Sequence, residues 1–278
     1  MVNKSNSYLP GSLEEALRVR AATDAIPYGG GTDLMIKANP DASYLFLHKI
    51  PEMRGITDDG GYIRIGASCT FTDIVKSPLC PAILREAILQ IAAHAIRNLG
   101  TIGGNIGNGS PKADSALIFF VTDSMVRLMS ERGERIIPIK EFYLGRNKLA
   151  LERDELIVEV IMPKQESSRY YYRKVGAREA LAISRISFAG LLDVKDGRIV
   201  NCAVAFGAIS DIIVRREDID AMLIGKTVDE ANELKADYIS AYDAAIQPIR
   251  GRVSEKYRKD VCLNLLNDFF ELTVGRSN

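Results

Sequence analysis

Two short glycine-rich segments hold the residues of this sequence that are best suited to chemistry. They read Tyr28-Gly29-Gly30-Gly31-Thr32-Asp33-Leu34 and Thr101-Ile102-Gly103-Gly104-Asn105-Ile106. Glycine permits a positive φ and lacks the Cβ that would hold a ligand away from the backbone. Successive N–H groups in such turns can face one concavity, which suits an anion such as a diphosphate. The polar side chains inside both segments indicate a diphosphate held from two sides, although one such loop alone is as often only a turn.

The first segment does not match the two familiar phosphate-binding patterns. A Rossmann dinucleotide site has G-x-G-x-x-G, and a phosphate-binding NTPase loop has G-K-[ST]. Residues Gly29 to Asp33 contain neither pattern, which leaves a nucleotide site of another kind or a structural turn. If a ligand binds here, valine at Gly30 or Gly103 should fill the space of the diphosphate and resist a positive φ. Most of the secondary structure should then remain while binding is lost.

Composition indicates a globular protein with balanced charge. The chain has 278 residues, of which 47% are apolar and 26% are charged. Lys+Arg and Asp+Glu both count 36, so the net charge gives no reason to expect nucleic acid as a partner. No apolar run approaches the ~20 residues of a membrane helix, and the first residues lack the apolar stretch of a signal peptide. We therefore expect a cytoplasmic protein that does not bind a membrane.

The cysteines and histidines do not form a metal-binding motif. No C-x-x-C spacing occurs among the four cysteines, and the two histidines are far apart in sequence (Cys69, Cys80, Cys202, Cys262, His48 and His94). Zinc and iron–sulfur sites need clustered ligands, so we expect no metal in this chain. Reduced and mostly buried thiols are the better interpretation. Any redox chemistry must then use a bound cofactor.

Helices and strands around the two segments are predicted from periodicity and turn signals. Ser12 to Glu15 reads as a capping box that opens a helix to about Ala22, and Ala82 to Ala95 has a helical apolar stripe. Further helices are predicted at 113–121, 218–224, 228–234 and 254–272. Strands are predicted at 26–28, 44–47, 62–66, 125–128, 135–139, 156–161, 170–175, 187–194 and 199–208.

The order of these elements predicts an α+β protein with antiparallel strand pairing. Asp196-Gly197 is a favoured dipeptide for a tight turn between the last two strands. The polar stretch Pro163 to Ser168 is the candidate domain boundary.

Three motifs in the first half of the chain match one known family in the same order. They are Gly30 to Leu34, Arg97 to Ile106 and Ser110 to Asp114. The corresponding family patterns are G-G-T-D-L, R-N-x-G-T-I-G-G-N-I and S-P-x-x-D. The chain thus resembles the FAD-binding (medium) subunits of the molybdenum hydroxylases, the xanthine dehydrogenase and carbon monoxide dehydrogenase family. Similarity continues at Arg173-Lys174, Arg178, Ala182-Ile183-Ser184 and Ser254-Glu255-Lys256-Tyr257-Arg258.

This resemblance implies a fold and a domain order. The fold would be a vanillyl-alcohol-oxidase (PCMH)-type FAD-binding fold of two α+β subdomains, followed by a C-terminal α+β domain. The FAD-binding domain would cover residues 1–165, with subdomains of about 1–55 and 56–165. The C-terminal flavoprotein domain, with a small antiparallel sheet and helices, would cover residues 166–278.

The resemblance also implies which residues contact FAD. The two segments would wrap the diphosphate and ribityl chain, Asp114 would bind a sugar or ribityl hydroxyl, and Ile157 and Lys174 would lie near the isoalloxazine ring. The predicted set is Pro27, Tyr28, Gly29, Gly30, Gly31, Thr32, Asp33, Leu34, Thr101, Ile102, Gly103, Gly104, Asn105, Asp114, Ile157 and Lys174. From the residues alone, Asp114 could instead cap a helix, Ile157 could be a core residue, and Lys174 could be a solvated strand residue.

The group that covers the flavin ring is left open. Several relatives place an aromatic ring there from the helix before the second segment, where this chain has Ile91 to His94. Isoleucine or histidine would take that place, or Tyr170 to Tyr172 could stack on the ring from the C-terminal domain.

The function implied by the resemblance is electron transfer without a catalytic side chain. A molybdenum-binding large subunit would oxidise the substrate, and electrons would pass through [2Fe–2S] clusters of a small subunit to FAD in this chain. The molybdopterin cofactor and the clusters would belong to those partners in a heterotrimer, and NAD would be the final acceptor. The alternatives are a self-contained FAD oxidoreductase, like UDP-N-acetylenolpyruvoylglucosamine reductase, and a non-catalytic scaffold whose glycine segments are turns.

Overall fold

The computed structural model describes residues 7–164 and 169–274, and their contacts divide them into two units. The first unit contains residues 7–81, 92–109 and 123–164, and the second contains residues 82–91, 110–122 and 169–274. The helices are α1 (Leu13–Ala22), α2 (Phe71–Lys76), α3 (Ala82–Leu89), α4 (His94–Arg97), α5 (Ile102–Gly107), α6 (Asp114–Val121), α7 (Ile139–Phe142), α8 (Glu217–Asp220), α9 (Val228–Glu233), α10 (Lys235–Ala245) and α11 (Glu255–Phe269). The strands are β1 (Ile26–Tyr28), β2 (Tyr44–Phe46), β3 (Ile56–Asp58), β4 (Tyr62–Gly66), β5 (Met125–Ser130), β6 (Gly133–Pro138), β7 (Tyr143–Gly145), β8 (Lys148–Leu149), β9 (Leu156–Pro163), β10 (Arg169–Val175), β11 (Ile186–Lys195), β12 (Arg198–Gly207) and β13 (Val214–Arg215). Two 3-10 turns, Leu34–Lys37 and Pro51–Met53, and a π-helical turn, Phe270–Val274, complete the set.

A five-stranded antiparallel sheet with the order β3-β4-β9-β5-β6 forms the first unit's centre. Side chains alternate along β5, where Val126 and Leu128 are fully buried and Arg127 between them forms an ion pair with Glu159 of β9. That period of two is the ordinary geometry of a strand with one buried face. Helix α5, which contains the second glycine segment, packs on β4 and β9.

The second unit has an antiparallel sheet with the order β10-β11-β12-β13. Asp196 and Gly197 join β11 to β12 with φ values of +53° and +74°, as a two-residue hairpin turn requires. All eight residues of α6 are buried, and this helix packs on β11 and β12. Helix α11 contacts β11 and contributes Cys262, Leu266 and Phe269 to the core.

The predicted α+β fold is confirmed, and the four-stranded and five-stranded sheets are antiparallel as predicted, whereas β1 and β2 pair in parallel. Several predicted elements have other bounds. The helix predicted over 82–95 ends at Leu89, and Ala92 beyond it has a φ of +45°, which no α-helix accommodates. The Ser12 hydroxyl does cap α1, whereas the Glu15 carboxylate accepts from Gly11 and not from Ser12. The predicted helix over 254–272 ends at Phe269 and continues as the π-helical turn. Sequence patterns did not predict α10 or the separate helix α5.

All four cysteines are free thiols and are buried, as expected.

Segments 82–91 and 110–122 pack with the second unit because α3 and α6 contact its sheet. The domain boundary near residue 165 stays a prediction. No helix within residues 7–164 or 169–274 is both long and apolar enough to span a membrane.

Candidate functional site

The first glycine segment lies at the end of β1, which pairs in parallel with β2 at Pro27 and Leu45. Tyr28 ends the strand and Leu34 begins a 3-10 turn, so residues 29–33 form an open turn between them. Gly31 has a φ of +69°, a conformation that glycine adopts far more readily than other residues. The other four glycines of the two segments have no positive φ.

Close packing explains two of those other glycines. A Cβ on Gly30 would lie 1.8 Å from the carbonyl oxygen of Leu99, and a Cβ on Gly103 would lie 2.6 Å from the Cβ of Ala67. Both directions lead into protein atoms of the first unit. The expectation that valine at these positions would fill a ligand's space is therefore wrong, because it would disrupt the packing of the unit itself.

The two glycine segments contact each other within the first unit. A Cβ on Gly29 would lie 2.5 Å from Thr101 Oγ1 and 3.6 Å from the Cα of Gly104. Just beyond the second segment, Asn108 Nδ2 donates a hydrogen bond to Asp33 Oδ2 at 3.1 Å. Absence of a side chain at Gly29 thus lets the two turns meet face to face.

Within the second segment, the backbone N–H groups are already hydrogen-bonded. Thr101 is the N-cap of α5, and its Oγ1 accepts from the amide of Gly104 at 3.1 Å. The amides of Ile102 and Gly103 donate to the carbonyls of Cys69 and Ala67 at 3.0 and 2.8 Å, and the amide of Asn105 donates to Thr101 at 3.0 Å. These four amides therefore hold α5 in place and are not available to a ligand.

In the first segment the backbone amides are differently placed. Five consecutive amides, those of Gly29, Gly30, Gly31, Thr32 and Asp33, have no hydrogen-bond acceptor among the described residues. The residues from Gly29 to Thr32 are half-buried, so part of each remains accessible to a ligand. A row of N–H groups in such a turn is a typical cradle for an anion.

Two hydroxyl groups adjoin these amides in the same unit. The Thr101 oxygen accepts one hydrogen bond as an N-cap, so its proton remains for an acceptor, and only 5% of this residue is exposed. Thr32 lies within the row, and its side chain has no hydrogen bond in the described part of the chain. Amides and hydroxyls that lie close together fit the oxygens of a diphosphate, which accept several short hydrogen bonds. The residues present therefore fit the diphosphate of FAD.

Three other predicted residues of the first unit have supporting positions. Ile102 is fully buried, and Asn105 is half-buried on α5. Ile157 of β9 is 8% exposed, and its Cδ1 would lie 3.4 Å from a Cβ on Gly107 at the end of α5. In this unit Ile157 therefore packs against the helix that carries the second segment.

Asp114 and Lys174 form a buried ion pair within the second unit. Lys174 Nζ lies 2.7 Å from Asp114 Oδ2 and also donates to the carbonyl of Gln90 at 2.9 Å. Ser184 Oγ donates to the other carboxylate oxygen, Asp114 Oδ1, at 2.6 Å. Burial raises the pKa of the Asp114 carboxyl, and the Lys174 ammonium and the Ser184 hydroxyl oppose that rise.

The environments of Lys174 and Asp114 exclude two of the alternative interpretations. Lys174 is not a solvated strand residue, because only 8% of its side chain is exposed. Asp114 is the first residue of α6 and not its cap, which is Ala113, without a side-chain hydrogen bond. Sequence reasoning missed Ser184 and Gln90 as partners, although Ser184 lies in the matched Ala182-Ile183-Ser184 motif.

The residues considered as covers for the flavin ring have different environments. Ile91 is half-buried, whereas His94 begins α4 and is exposed. Tyr170 and Tyr171 are half-buried, and Tyr172 is 4% exposed with a hydroxyl that has no hydrogen bond among the described residues.

Two family models together match most of the chain. Residues 3–165 match the FAD binding domain in molybdopterin dehydrogenase, and residues 170–273 match the CO dehydrogenase flavoprotein C-terminal domain.

Known proteins of similar sequence and structure carry related names. The xanthine dehydrogenase FAD-binding subunit of Escherichia coli O157:H7 is 34% identical over 197 residues, which is 67% of each chain. The nicotinate dehydrogenase FAD-subunit of Eubacterium barkeri is 30% identical over 280 residues, covering 95% of this chain and 94% of that one. A solved structure of carbon monoxide dehydrogenase from Hydrogenophaga pseudoflava superposes with a TM-score of 0.88 at 25% identity, over 100% of both chains.

Proposed function

The chain belongs to the FAD-binding subunits of the molybdenum hydroxylases, and from that membership we propose how it works. It is an oxidoreductase subunit that holds FAD by the diphosphate and passes electrons through it. The first glycine segment supplies backbone donors to the diphosphate, and the second supplies side-chain donors. The FAD stands between a metal-containing partner and a soluble acceptor.

The row of five unpaired amides carries this proposal. An anion at that turn would accept from Gly29 to Asp33 in succession, while Thr32 and Thr101 add hydroxyl donors. The second segment uses its own amides to fix α5, so its contribution comes from the Thr101 and Asn105 side chains. The two segments would therefore contribute different donors, backbone amides from the first and side chains from the second.

The match of the second domain favours an electron-transfer subunit over a self-contained reductase. Residues 170–273 correspond to a flavoprotein C-terminal domain of CO dehydrogenase. A reductase acting alone would need a substrate-binding domain with a proton donor opposite the flavin. The first glycine segment and Thr101 would hold FAD, and the flavin would supply the redox chemistry, since it can take up electrons one at a time and release two as a hydride.

The partners and the acceptor follow from the resemblance. Electrons would reach this chain from the [2Fe–2S] clusters of a small subunit, after substrate oxidation at a molybdopterin site on a large subunit. NAD would take them from FAD, within a cytoplasmic heterotrimer. Contact of FAD with Asp114, Ile157 and Lys174 likewise rests on the resemblance. Asp114 could accept a further bond at each oxygen, because one carboxylate has about four acceptor positions.

Reduction of a dye tests the acceptor half of this function. The full chain, loaded with FAD, should pass electrons from NADH to an artificial dye, and the same chain stripped of FAD should not. Restored activity after FAD is added back controls for damage during stripping. If the loaded chain bound FAD but left NADH unoxidised, NAD would be the wrong acceptor.

Co-purification from the native source should recover an iron–sulfur subunit and a molybdenum subunit, and their absence would contradict the proposed complex.

A further inference from the structure

Tyr28 points its hydroxyl at the turn that contains the unpaired amides. A Cβ built on Gly31 would lie 2.0 Å from Tyr28 Oη and 2.2 Å from Tyr28 Cζ. The phenol therefore folds back over the turn, and its hydroxyl end occupies the space beside Gly31 that a side chain would take. This gives Gly31 a second reason to be glycine, besides its φ of +69°.

Two aromatic neighbours fix the position of the Tyr28 ring. Its centroid lies 4.7 Å from that of Phe46 in a tilted arrangement and 6.0 Å from that of Tyr44 in an edge-on arrangement. Both neighbours belong to β2, the strand that pairs with β1. Aromatic pairs at these distances are stabilising, so the hydroxyl is held in place before any ligand binds.

The Tyr28 hydroxyl has no hydrogen-bond partner in the part of the chain that the structure describes. The nearby Tyr44 differs, because its hydroxyl donates to the carbonyl of Asn39 at 3.1 Å and accepts from the amide of that residue at 3.3 Å. The one carboxylate in the turn, Asp33, accepts from Asn108. A phenol with a free proton thus lies beside Gly31, the middle residue of the five whose amides have no acceptor among the described residues.

We propose that the Tyr28 hydroxyl donates a hydrogen bond to a phosphate oxygen of the bound FAD. The inference rests on the proposed function and adds a side-chain donor to the row of backbone amides. The Tyr28 hydroxyl and the backbone amides are all hydrogen-bond donors, so one anionic group can accept from them together. A diphosphate has enough oxygens to accept from the hydroxyl as well as from the amides. Tyr28 thereby becomes a determinant of affinity for the diphosphate, independent of the flavin ring.

The variant Tyr28→Phe tests this role because it removes only the oxygen. Hydrogen bonds to charged groups are strong enough that we expect the Kd of FAD to rise about ten- to a hundredfold. ADP, which has the diphosphate but no flavin, should lose affinity by a similar factor when it competes with FAD. Flavin fluorescence on titration of the full chain measures both constants. Thermal unfolding of the ligand-free variant should match the wild type, since the hydroxyl has no partner to lose.

Tyr44→Phe is the matched control. It also removes a hydroxyl from this aromatic group, but the Tyr44 hydroxyl is hydrogen-bonded to Asn39 and not placed beside Gly31. Its FAD and ADP affinities should stay within about twofold of wild type. Equal affinities for Tyr28→Phe and wild type would overturn the inference, as would a loss for FAD without a loss for ADP. Equal losses in both variants would overturn it as well. A wild-type chain that bound neither FAD nor ADP would instead contradict the proposed function.

Discussion

At the residue scale, neighbouring glycines serve different physical purposes. Gly103 must lack a Cβ, because that atom would lie 2.6 Å from the Cβ of Ala67 and 2.8 Å from the carbonyl oxygen of Ala67. Gly104, the next residue, is exposed, and a Cβ there would meet only Thr101 Oγ1 at 3.0 Å. Substitutions at Gly103 and Gly104 therefore test two properties separately, the packing of the first unit and the binding of the proposed ligand.

Alanine at these two positions should affect different properties, stability at Gly103 and FAD binding at Gly104. We expect Gly103→Ala to lower the free energy of unfolding by about 1–3 kcal/mol, because the new methyl group overpacks the unit. Gly104→Ala should change it by less than about 1 kcal/mol, since alanine favours the helix. The same methyl group should weaken FAD binding severalfold by crowding the Thr101 hydroxyl. Urea unfolding and FAD titration measure the two effects, and a stable Gly103→Ala variant would contradict the packing argument.

Lys174 should stabilise the second unit through its ion pair. We expect Lys174→Met to lower the free energy of unfolding by about 3–5 kcal/mol, because the Asp114 carboxylate would remain buried without a counter-charge. Adding Asp114→Asn should recover part of that loss. Ser184→Ala, which removes one hydrogen bond to the same carboxylate, should cost less than Lys174→Met. Urea unfolding measures all three, and a Lys174→Met variant as stable as wild type would show that the pair contributes nothing.

Sequence reasoning predicts which residue types lie near a diphosphate, but not how their donors are used. The motif match identifies both segments because their order and spacing are specific. The match does not show that the amides of Ile102 and Gly103 donate hydrogen bonds to the carbonyls of Cys69 and Ala67. Those acceptors belong to a turn more than thirty residues away in sequence, and only the packed unit brings them to the segment. For the same reason, the sequence does not show that Lys174 is buried beside Asp114, which lies sixty residues away in sequence.

At the element scale, local signals predict turns and strands better than helix ends. The Asp196-Gly197 turn and the β-rich runs on either side were predicted because the turn chemistry is local. The apolar stripe that predicts a helix over 82–95 continues to Ala95, but the helix itself ends at Leu89. Helix α10 was missed, although its Tyr238 and Tyr242 are fully buried. Tertiary packing overrides propensity in these cases.

Across the sheet of the first unit, charged side chains form a ladder whose centre is Glu159. Its carboxylate oxygen Oε1 lies 2.6 Å from Arg64 Nη1 and 3.4 Å from Arg127 Nη1, and its side chain is 13% exposed. Asp59 pairs with Arg64 at 2.7 Å, and Glu134 accepts from Arg127 Nε at 2.8 Å. The ladder connects β4, β9, β5 and β6 on one face.

We expect Glu159→Gln to lower the free energy of unfolding by about 1 kcal/mol, because two guanidinium groups would lose a shared carboxylate. The difference from wild type should shrink at high salt, which screens partly exposed charges. Glu134→Gln is the control, since Glu134 pairs with a single arginine and half of its side chain is exposed. Its effect should be smaller. Urea unfolding at two salt concentrations decides the matter, and equal effects for both variants would contradict a central role for Glu159.

At the scale of the whole molecule, the motifs predicted the family and the α+β class, while composition could not predict how the chain divides. Segments 82–91 and 110–122 lie in the first half of the sequence but pack with the C-terminal residues. Nothing in their composition marks this, because an apolar helix can pack on either sheet. Because segment 110–122 packs with the C-terminal residues, Asp114 and Lys174 form a buried ion pair.

We propose that this chain alone binds FAD through its diphosphate, without a covalent bond. Neither glycine segment contains a histidine or cysteine that could form such a bond. The direct measurement is to saturate the purified full chain with FAD, remove unbound FAD, precipitate the protein with acid and quantify FAD in the supernatant. We predict about one FAD per chain, all of it released. A chain that retains no FAD, or a pellet that keeps the yellow colour, would contradict the claim.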